Sequence, residues 1–319
     1  MLPVTDQRTS VMSYFGNGQD PGRTQRVPAS AFFCIDSFDR NQPVDVSGAL
    51  VGKIQPINNF VIQKGQTFMS GFFNRIGVTE IRFPYGVPNV NARNNNILFE
   101  DSAAVVHTIT IDEGFYTPVE LAAALQAQLV ADIAGQTWTV AYTDTTSTFT
   151  ITSNANFAVY PFPYSNPRRT LKGLFHMLNG QTSLPALTWT TSPMPNMQYT
   201  AYVDICSRTL TQMQPTKDNS TRETQSPGLI TRLYLNNYSS EGVGDGDTSA
   251  VIYWPGCRPA LVYRLFNVPK MSAWQPGQFI DQVDIQLYDD VGELLYYGEP
   301  GGAQYSNNDF QITFQVSET

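Results

Sequence analysis

Two stretches near the C-terminus alternate between apolar and polar side chains, and they constrain the fold more than any other feature of the sequence. Their apolar positions are Val283, Ile285 and Leu287 in the first stretch, and Phe310, Ile312, Phe314 and Val316 in the second. Because successive side chains of an extended chain point to opposite faces, each stretch predicts a β-strand with one face on a core and the other outward. The residues after the first stretch, Asp289-Asp290-Val291-Gly292, predict a turn.

The chain has the same character from about residue 46 onwards. Short apolar runs are separated by clusters of Gly, Pro and Asn, which is the pattern of strands and loops. Phe149 and Ile151 alternate within a Thr-rich run, and residues 138–153 predict a hairpin.

One segment departs from the β pattern. Thr117-Pro118-Val119-Glu120 predicts a helix start, with Thr as N-cap, Pro at the first helical position and Glu at the third. Leu121, Leu125, Leu129 and Ile133 follow at four-residue spacing, and Gly135 can end the helix. Small and aliphatic side chains offer no chemistry, so this stripe predicts packing against a sheet.

These elements together predict a mainly β protein with one β-fold interrupted by a small α/β insertion. Residues 1–45 are rich in Gly, Pro, Gln, Asp and Arg and predict an extended N-terminal arm. The main domain is expected at 46–319, with the insertion at about 107–195.

Composition favours a protein that assembles with other subunits. Only 14% of the residues are charged, compared with about 25% in typical soluble proteins. A subunit that buries much of its surface against neighbours needs little charge, since unpaired buried charge is expensive. The net charge of −8, with Arg168, Arg169 and Lys172 as a modest basic group, argues against direct nucleic-acid binding.

Three cysteines, Cys34, Cys206 and Cys257, lie far apart and match neither a zinc knuckle nor a disulfide framework. They indicate free thiols in a reducing compartment, with one disulfide and one free thiol as the open alternative. No signal-peptide pattern stands at the N-terminus, and no stretch approaches the roughly 18 apolar residues of a membrane span.

Few residues suggest catalysis or metal binding. The two histidines, His107 and His176, stand outside metal and triad motifs and are interpreted as packed or hydrogen-bonded side chains. Asp281 and Asp284 fall on opposite faces of a strand, which disfavours a catalytic pair. We expect no cofactor and no enzymatic activity. A weak calcium candidate is the loop carrying Asp245 and Asp247, which is better explained as a hairpin tip.

Five segments, taken in order, resemble the penton and minor capsid proteins of virophages, polinton-like viruses and related large DNA viruses. Residues 88–95, PNVNARNN, resemble the Asn-rich loop after an early strand of that family. Residues 109–129 look like its strand, turn and Leu-rich helix, and residues 138–154 are similar to the hairpin that follows. Residues 280–295 resemble a late strand with an Asp-x-x-Gly turn, and 308–318 resemble the closing strand.

The resemblance implies a single jelly roll of two antiparallel sheets with an inserted domain, acting as a penton-type subunit. It implies a homopentamer that plugs the icosahedral vertices of the virion, with the major capsid protein (a double jelly roll) and other minor capsid proteins as partners. The N-terminal arm would tie the vertex to its surroundings, with Arg8, Arg23 and Arg26 as candidate contacts. The family supplies no catalytic residues, so none are transferred.

Two other interpretations remain open. One is a viral spike or receptor-binding β-domain that recognises glycans through exposed aromatic side chains. The other is a polysaccharide-cleaving enzyme on a β-sandwich, which would need a cleft with converging carboxylates.

Overall fold

The computed structural model describes residues 11–13, 24–26, 30–41, 55–63, 67–69, 71–160, 186–191, 197–213, 228–235, 260–298 and 309–318. The first strands are β1 (Val11–Ser13), β2 (Thr24–Arg26), β3 (Ser30–Asp36), β4 (Asn59–Gln63), β5 (Arg75–Tyr85), β6 (Asn96–Glu100) and β7 (Val106–Thr110). The helix α1 (Pro118–Asp132) is followed by β8 (Trp138–Thr143), β9 (Thr148–Tyr160) and β10 (Ala186–Thr190). The last strands are β11 (Tyr202–Cys206), β12 (Leu229–Tyr234), β13 (Ala260–Leu265), β14 (Met271–Ala273), β15 (Gln282–Tyr288) and β16 (Gln311–Ser317).

Two antiparallel sheets form the main sandwich. The strand order is β13-β5-β16-β3 in the first sheet, where β14 also pairs with β5, and β12-β11-β15-β4 in the second. If β3, β4, β5, β11, β12, β13, β15 and β16 are lettered B to I in chain order, the sheets read G-D-I-B and F-E-H-C. That is the strand order of a jelly roll. The predicted fold class, mainly β with a jelly-roll sandwich, is therefore confirmed.

The alternating C-terminal stretches form central strands of the two sheets. All seven apolar side chains predicted to face a core are buried. Phe310 joins the sheets, since its ring centroid lies 5.8 Å from that of Phe60 in β4 and 5.4 Å from that of Phe83 in β5. The predicted turn after β15 closes at Gly292, whose φ of 78° favours glycine.

The chain between β5 and β11 builds a second unit with its own sheet. Here the strand order is β10-β9-β6-β7, with β8 also paired to β9 as the predicted hairpin. Its core is separate from that of the sandwich and centres on Trp138, which makes edge contacts with Phe99 and Phe157. We call this unit the insertion. Its predicted limits, 107 and 195, and the arm limit at residue 45 stay predictions.

The helix has the predicted start and the predicted packing. The Thr117 side chain accepts a hydrogen bond from Glu120 N, and the Glu120 side chain accepts one from Thr117 N, so a full capping box is present. The side chains of Leu121, Leu125 and Leu129 are fully buried against the inserted sheet.

Within the predicted arm, residues 11–13 and 24–26 pair as the antiparallel strands β1 and β2. Residues 30–36 pair along their whole length with β16 and form the edge strand β3. A short 3-10 turn, Ser37–Asn41, follows. It is tied to the residues just before β16 by Ser37 Oγ, which donates to Asp309 Oδ1, and by an ion pair between Arg40 and Asp309.

Candidate assembly surface of the jelly roll

The outer face of the β13-β5-β16-β3 sheet carries large apolar side chains at one edge. Val262 of β13 is buried in the core, so its neighbours on the strand point outward. Leu261, Tyr263 and Leu265 are accordingly exposed, with 63% of Leu265 accessible to solvent. We call these three residues the β13 edge. Among the described residues, the strand pairs only with β5.

The opposite edge of the same sheet is also apolar. Ile35 of β3 points into the core, while Phe32 and Cys34 point outward. Phe32 is 59% exposed, and Phe38 in the following 3-10 turn is 60% exposed. We call Phe32, Cys34 and Phe38 the β3 edge. Within the described ranges, β3 pairs only with β16.

Polar groups fill the centre of this face and bond to one another. Tyr263 Oη donates to Glu80 Oε1 at 2.9 Å, and Gln311 Nε2 donates to Asp36 Oδ2 at 2.9 Å. Exposed Arg82 of β5 lies in the same cross-strand row as Tyr263, Gln311 and Asp36. The face is thus apolar at its two edges and polar between them.

The outer face of the other sheet has a different character. Arg232 of β12 makes two charge-assisted hydrogen bonds to Asp204 of β11, from Nε at 2.6 Å and from Nη2 at 2.9 Å. Its guanidinium also stacks 3.8 Å above the ring of Tyr202. The hydrogen bond to Asp204 raises the pKa of Arg232 further above its ordinary value. These groups satisfy one another within the chain.

A polar junction fixes the insertion to the sandwich. The buried side chain of Asn89, where the chain enters the insertion, donates to Met197 O, where the chain leaves it, and to Tyr116 O just before α1. Asn94 donates to Asn89 O and accepts from Asn91 N, so the Asn-rich loop is held by its own amides. Buried amides of this kind are stable only when bonded, which explains why this loop needs Asn at these positions.

Arg93 links the same loop to the turn after β15. It donates to Leu294 O at 2.8 Å and lies 3.8 Å from carboxylate oxygens of Asp289 and Glu293. Asp289 is 2% exposed, and burial raises its pKa to about 6, although backbone N–H groups of Val291 and Glu293 donate to it. The junction therefore contains a buried carboxyl group, that of Asp289, which keeps its proton to a higher pH than an ordinary aspartate.

Two of the residues considered above for chemistry, His107 and Asp284, have structural roles. His107 Nε2 lies 3.0 Å from Asp101 Oδ2, which confirms a hydrogen-bonded histidine. That hydrogen bond lowers the pKa of Asp101. Asp284 accepts hydrogen bonds from the Ser207 hydroxyl and from the backbone N–H groups of Arg208 and Thr209, which closes a turn. Asp281, three residues earlier, is exposed.

No cluster of three or more potential metal ligands occurs within the described part of the chain. The calcium candidates Asp245 and Asp247 lie outside it, as do Arg8, Arg23, His176 and Cys257. Arg26 is described only for its backbone, as the last residue of β2. Cys34 and Cys206 are free thiols, and burial raises the pKa of Cys206 to about 12. In the described ranges, no helix is long and apolar enough to cross a membrane.

Neither apolar edge was predicted, although each leaves a signal in the sequence. Residues 261–266, LVYRLF, and residues 31–35, AFFCI, carry apolar side chains on both faces of a strand. A strand with one face in water alternates instead. Apolar residues on the outward face therefore indicate a second contact beyond the core of the sandwich.

The chain is similar to solved protein structures but matches no known sequence family. No family model and no curated protein matches the sequence. Among solved structures, the chain is similar to the crystal structure of a mavirus penton protein, with a TM-score of 0.48 and 11% identity. The alignment covers 92% of this chain and 100% of that one. The jelly-roll assignment rests on the strand order described above.

Proposed function

We propose that this chain is a structural capsid subunit of the penton type, which forms a homopentamer at the icosahedral vertices of a virion. The observation that carries the proposal is the pair of exposed apolar edges on one sheet of the jelly roll. Exposed large side chains grouped on edge strands indicate contact with other protein surfaces.

The fold alone does not distinguish this function from others, because jelly rolls serve in capsids, lectins and cupins. A cupin-like enzyme would place metal ligands inside the sandwich. The interior here is filled by a continuous apolar cluster that includes Phe60, Phe83, Phe310 and Phe314. The apolar edges favour assembly, and the low charge content supports the same conclusion.

A structural role also agrees with the use that the chain makes of its polar groups. Asp204, Asp284 and Asp289 each accept hydrogen bonds from neighbouring side chains or backbone groups. These carboxylates hold a strand pair and two turns in place, which is the work of a rigid scaffold. We therefore propose a non-enzymatic protein.

In the proposed capsid, five copies close a ring, and the ring meets the major capsid protein and other minor capsid proteins. We propose that the N-terminal segment before β3 contacts these neighbours, with Arg8, Arg23 and Arg26 as anchors. Guanidinium groups suit this task, since they form paired hydrogen bonds with carboxylates and backbone carbonyls.

The decisive experiment is the mass of the purified protein in solution, measured by light scattering after size exclusion across salt and protein concentration. Five subunits of 35.5 kDa give a closed ring of about 178 kDa. A dimer or trimer would contradict the pentamer. A monomer that binds glycans would favour the alternative of a receptor-binding β-domain.

A second experiment tests the role of the N-terminal segment. Deletion of residues 1–29 leaves β3 in place, so the ring should form as before. Incorporation of the ring into capsids, measured by co-sedimentation with assembled shells, should be lost. Undiminished incorporation would contradict the proposed anchoring role.

A further inference from the structure

We infer that the ring closes by contact between the β13 edge of one subunit and the β3 edge of the next. This inference rests on the proposed function and assigns the two surfaces that it requires. A cyclic pentamer needs heterologous contacts, in which each subunit presents two different surfaces to its two neighbours. The two edges lie on opposite sides of one sheet, as such a contact demands.

Strand direction is compatible with this contact. Neighbouring strands of the sheet are antiparallel throughout, and the strand order β13-β5-β16-β3 has an even number of strands. The strands β13 and β3 therefore run in opposite directions. When one subunit follows another in the same orientation, the β13 strand of the first meets the β3 strand of the second as an antiparallel neighbour. Edge strands in that relation pack and pair without strain.

The charges on the two sides are complementary. Described charged residues on or beside the β3 edge are mainly acidic: Asp36, Asp39 and Asp309, with Arg40 paired to Asp309. The charged residues on the outward side of β5, the strand beside β13, are Arg75 and Arg82, together with Glu80, which accepts a hydrogen bond from Tyr263. Complementary potentials favour the association of unlike edges and disfavour contact between two β3 edges. The charge pattern thus selects a head-to-tail ring over a two-fold dimer.

The second sheet is protected against the same kind of contact. The Gln55 side chain makes hydrogen bonds to both backbone groups of Val61 on the edge strand β4. It accepts from Val61 N at 2.8 Å and donates to Val61 O at 3.0 Å. At the other edge, Lys270 Nζ donates to Leu229 O, at the first residue of β12. Side chains that cover an edge strand prevent pairing with another chain. The contrast assigns subunit contact to the β13-β5-β16-β3 sheet.

The exposed thiol of Cys34 gives a direct test, since it lies on the β3 edge. Cysteine is introduced singly at positions 261, 263 and 265 of the β13 edge, and the purified full-length protein is oxidised. Disulfide formation needs Cβ atoms within about 4.5 Å, so only apposed edges react. We expect at least one variant to give a ladder of covalent dimers up to pentamers. The same variant with Cys34→Ser should give no ladder.

Charge insertion gives an independent test by light scattering. The double variant Leu261→Asp/Leu265→Asp and the single variant Phe32→Asp should each reduce the mass fivefold, from pentamer to monomer. Leu187→Asp is the matched control, because Leu187 is exposed on β10 of the insertion, away from both edges. Circular dichroism verifies that every variant remains folded.

The outcomes separate this inference from the function on which it rests. A pentameric wild type whose edge variants stay pentameric and form no ladder would overturn the edge contact while leaving the capsid proposal intact. A wild type that stays monomeric at every concentration and forms no ladder would overturn both. Dissociation of the edge variants together with a Cys34-dependent ladder would establish the contact.

Discussion

Replacement of Asp289 by Asn should remove the part of the pH dependence of the free energy of unfolding that comes from the titration of this carboxyl group. Asp289 lies in the turn after β15, where its Oδ1 accepts from Val291 N at 3.1 Å and from Glu293 N at 2.9 Å. An Asn side chain offers an oxygen at the same place, so both hydrogen bonds can be kept. The substitution mainly removes a buried group that titrates.

The sign and size of the effect follow from the pKa of Asp289. Burial raises this pKa from 3.8 to about 6 in the folded protein. The unfolded chain therefore loses its proton first as the pH rises. The contribution of Asp289 to stability is fully present below pH 3.8 and is lost as the pH rises through 6. A shift of this size corresponds to about 3 kcal/mol at about 1.4 kcal/mol per pKa unit.

The assay is urea unfolding of wild type and Asp289→Asn between pH 4 and 7. The free energy of unfolding of wild type minus that of the variant should fall by about 2.4 kcal/mol across this range, because about 0.6 kcal/mol of the full effect is already lost at pH 4. Asp284→Asn is the opposite control. Although burial raises its pKa, hydrogen bonds from Ser207, Arg208 and Thr209 lower the pKa of Asp284 overall. Its stabilising contribution is present above pH 3.8 and is lost only at lower pH, so the difference between wild type and Asp284→Asn should stay nearly constant between pH 4 and 7. A flat or rising difference for Asp289→Asn would refute the reasoning.

Two substitutions in the insertion test its packing and its helix start. Leu125→Ala should lower the free energy of unfolding by about 2–5 kcal/mol, because its side chain is fully buried in the inserted core. Val130→Ala on the exposed side of the same helix should change it by less than about 0.5 kcal/mol, and equal effects would contradict the packing. Thr117→Ala should lower the free energy of unfolding by about 1 kcal/mol by removing the capping box, whereas Thr117→Ser should keep most of this stability because a Ser hydroxyl can make the same hydrogen bond. Urea unfolding measures all of these, and a neutral Thr117→Ala would contradict the role of the cap.

Elements with a strong local pattern could be predicted from the sequence. The capping box and four-residue leucine spacing predict α1, and strict alternation predicts β15 and β16. The turn at residues 289–292 was predictable for the same reason, since the Asp289 side chain and the positive φ of Gly292 determine it locally. His107, which stands outside any metal or triad motif, was interpreted as packed or hydrogen-bonded, and its contact with Asp101 shows the second of these.

Long-range features could not be predicted in the same way. β16 pairs with β3 across more than 270 residues, as in the register of Ser317 with Ser30, and no local pattern specifies that partner. The apolar edges were not predicted because the sequence alone does not distinguish an exposed leucine from a buried one. Only the register, which places Val262 inward, shows that Leu261 and Tyr263 face out.

The placement of the insertion determines how the protein carries mechanical load. β5 enters the insertion and β11 leaves it, and each is an inner strand of its own sheet. A force that pulls on the insertion is therefore applied to both sheets at once, along the axes of β5 and β11. Each of these strands transfers the force to the hydrogen bonds with its neighbours on both sides. When the force acts along a strand, all of its hydrogen bonds share the load. When an edge strand is pulled away sideways, its hydrogen bonds break one after another. The jelly roll thus holds the insertion through two inner strands, each bonded to a neighbour on both sides.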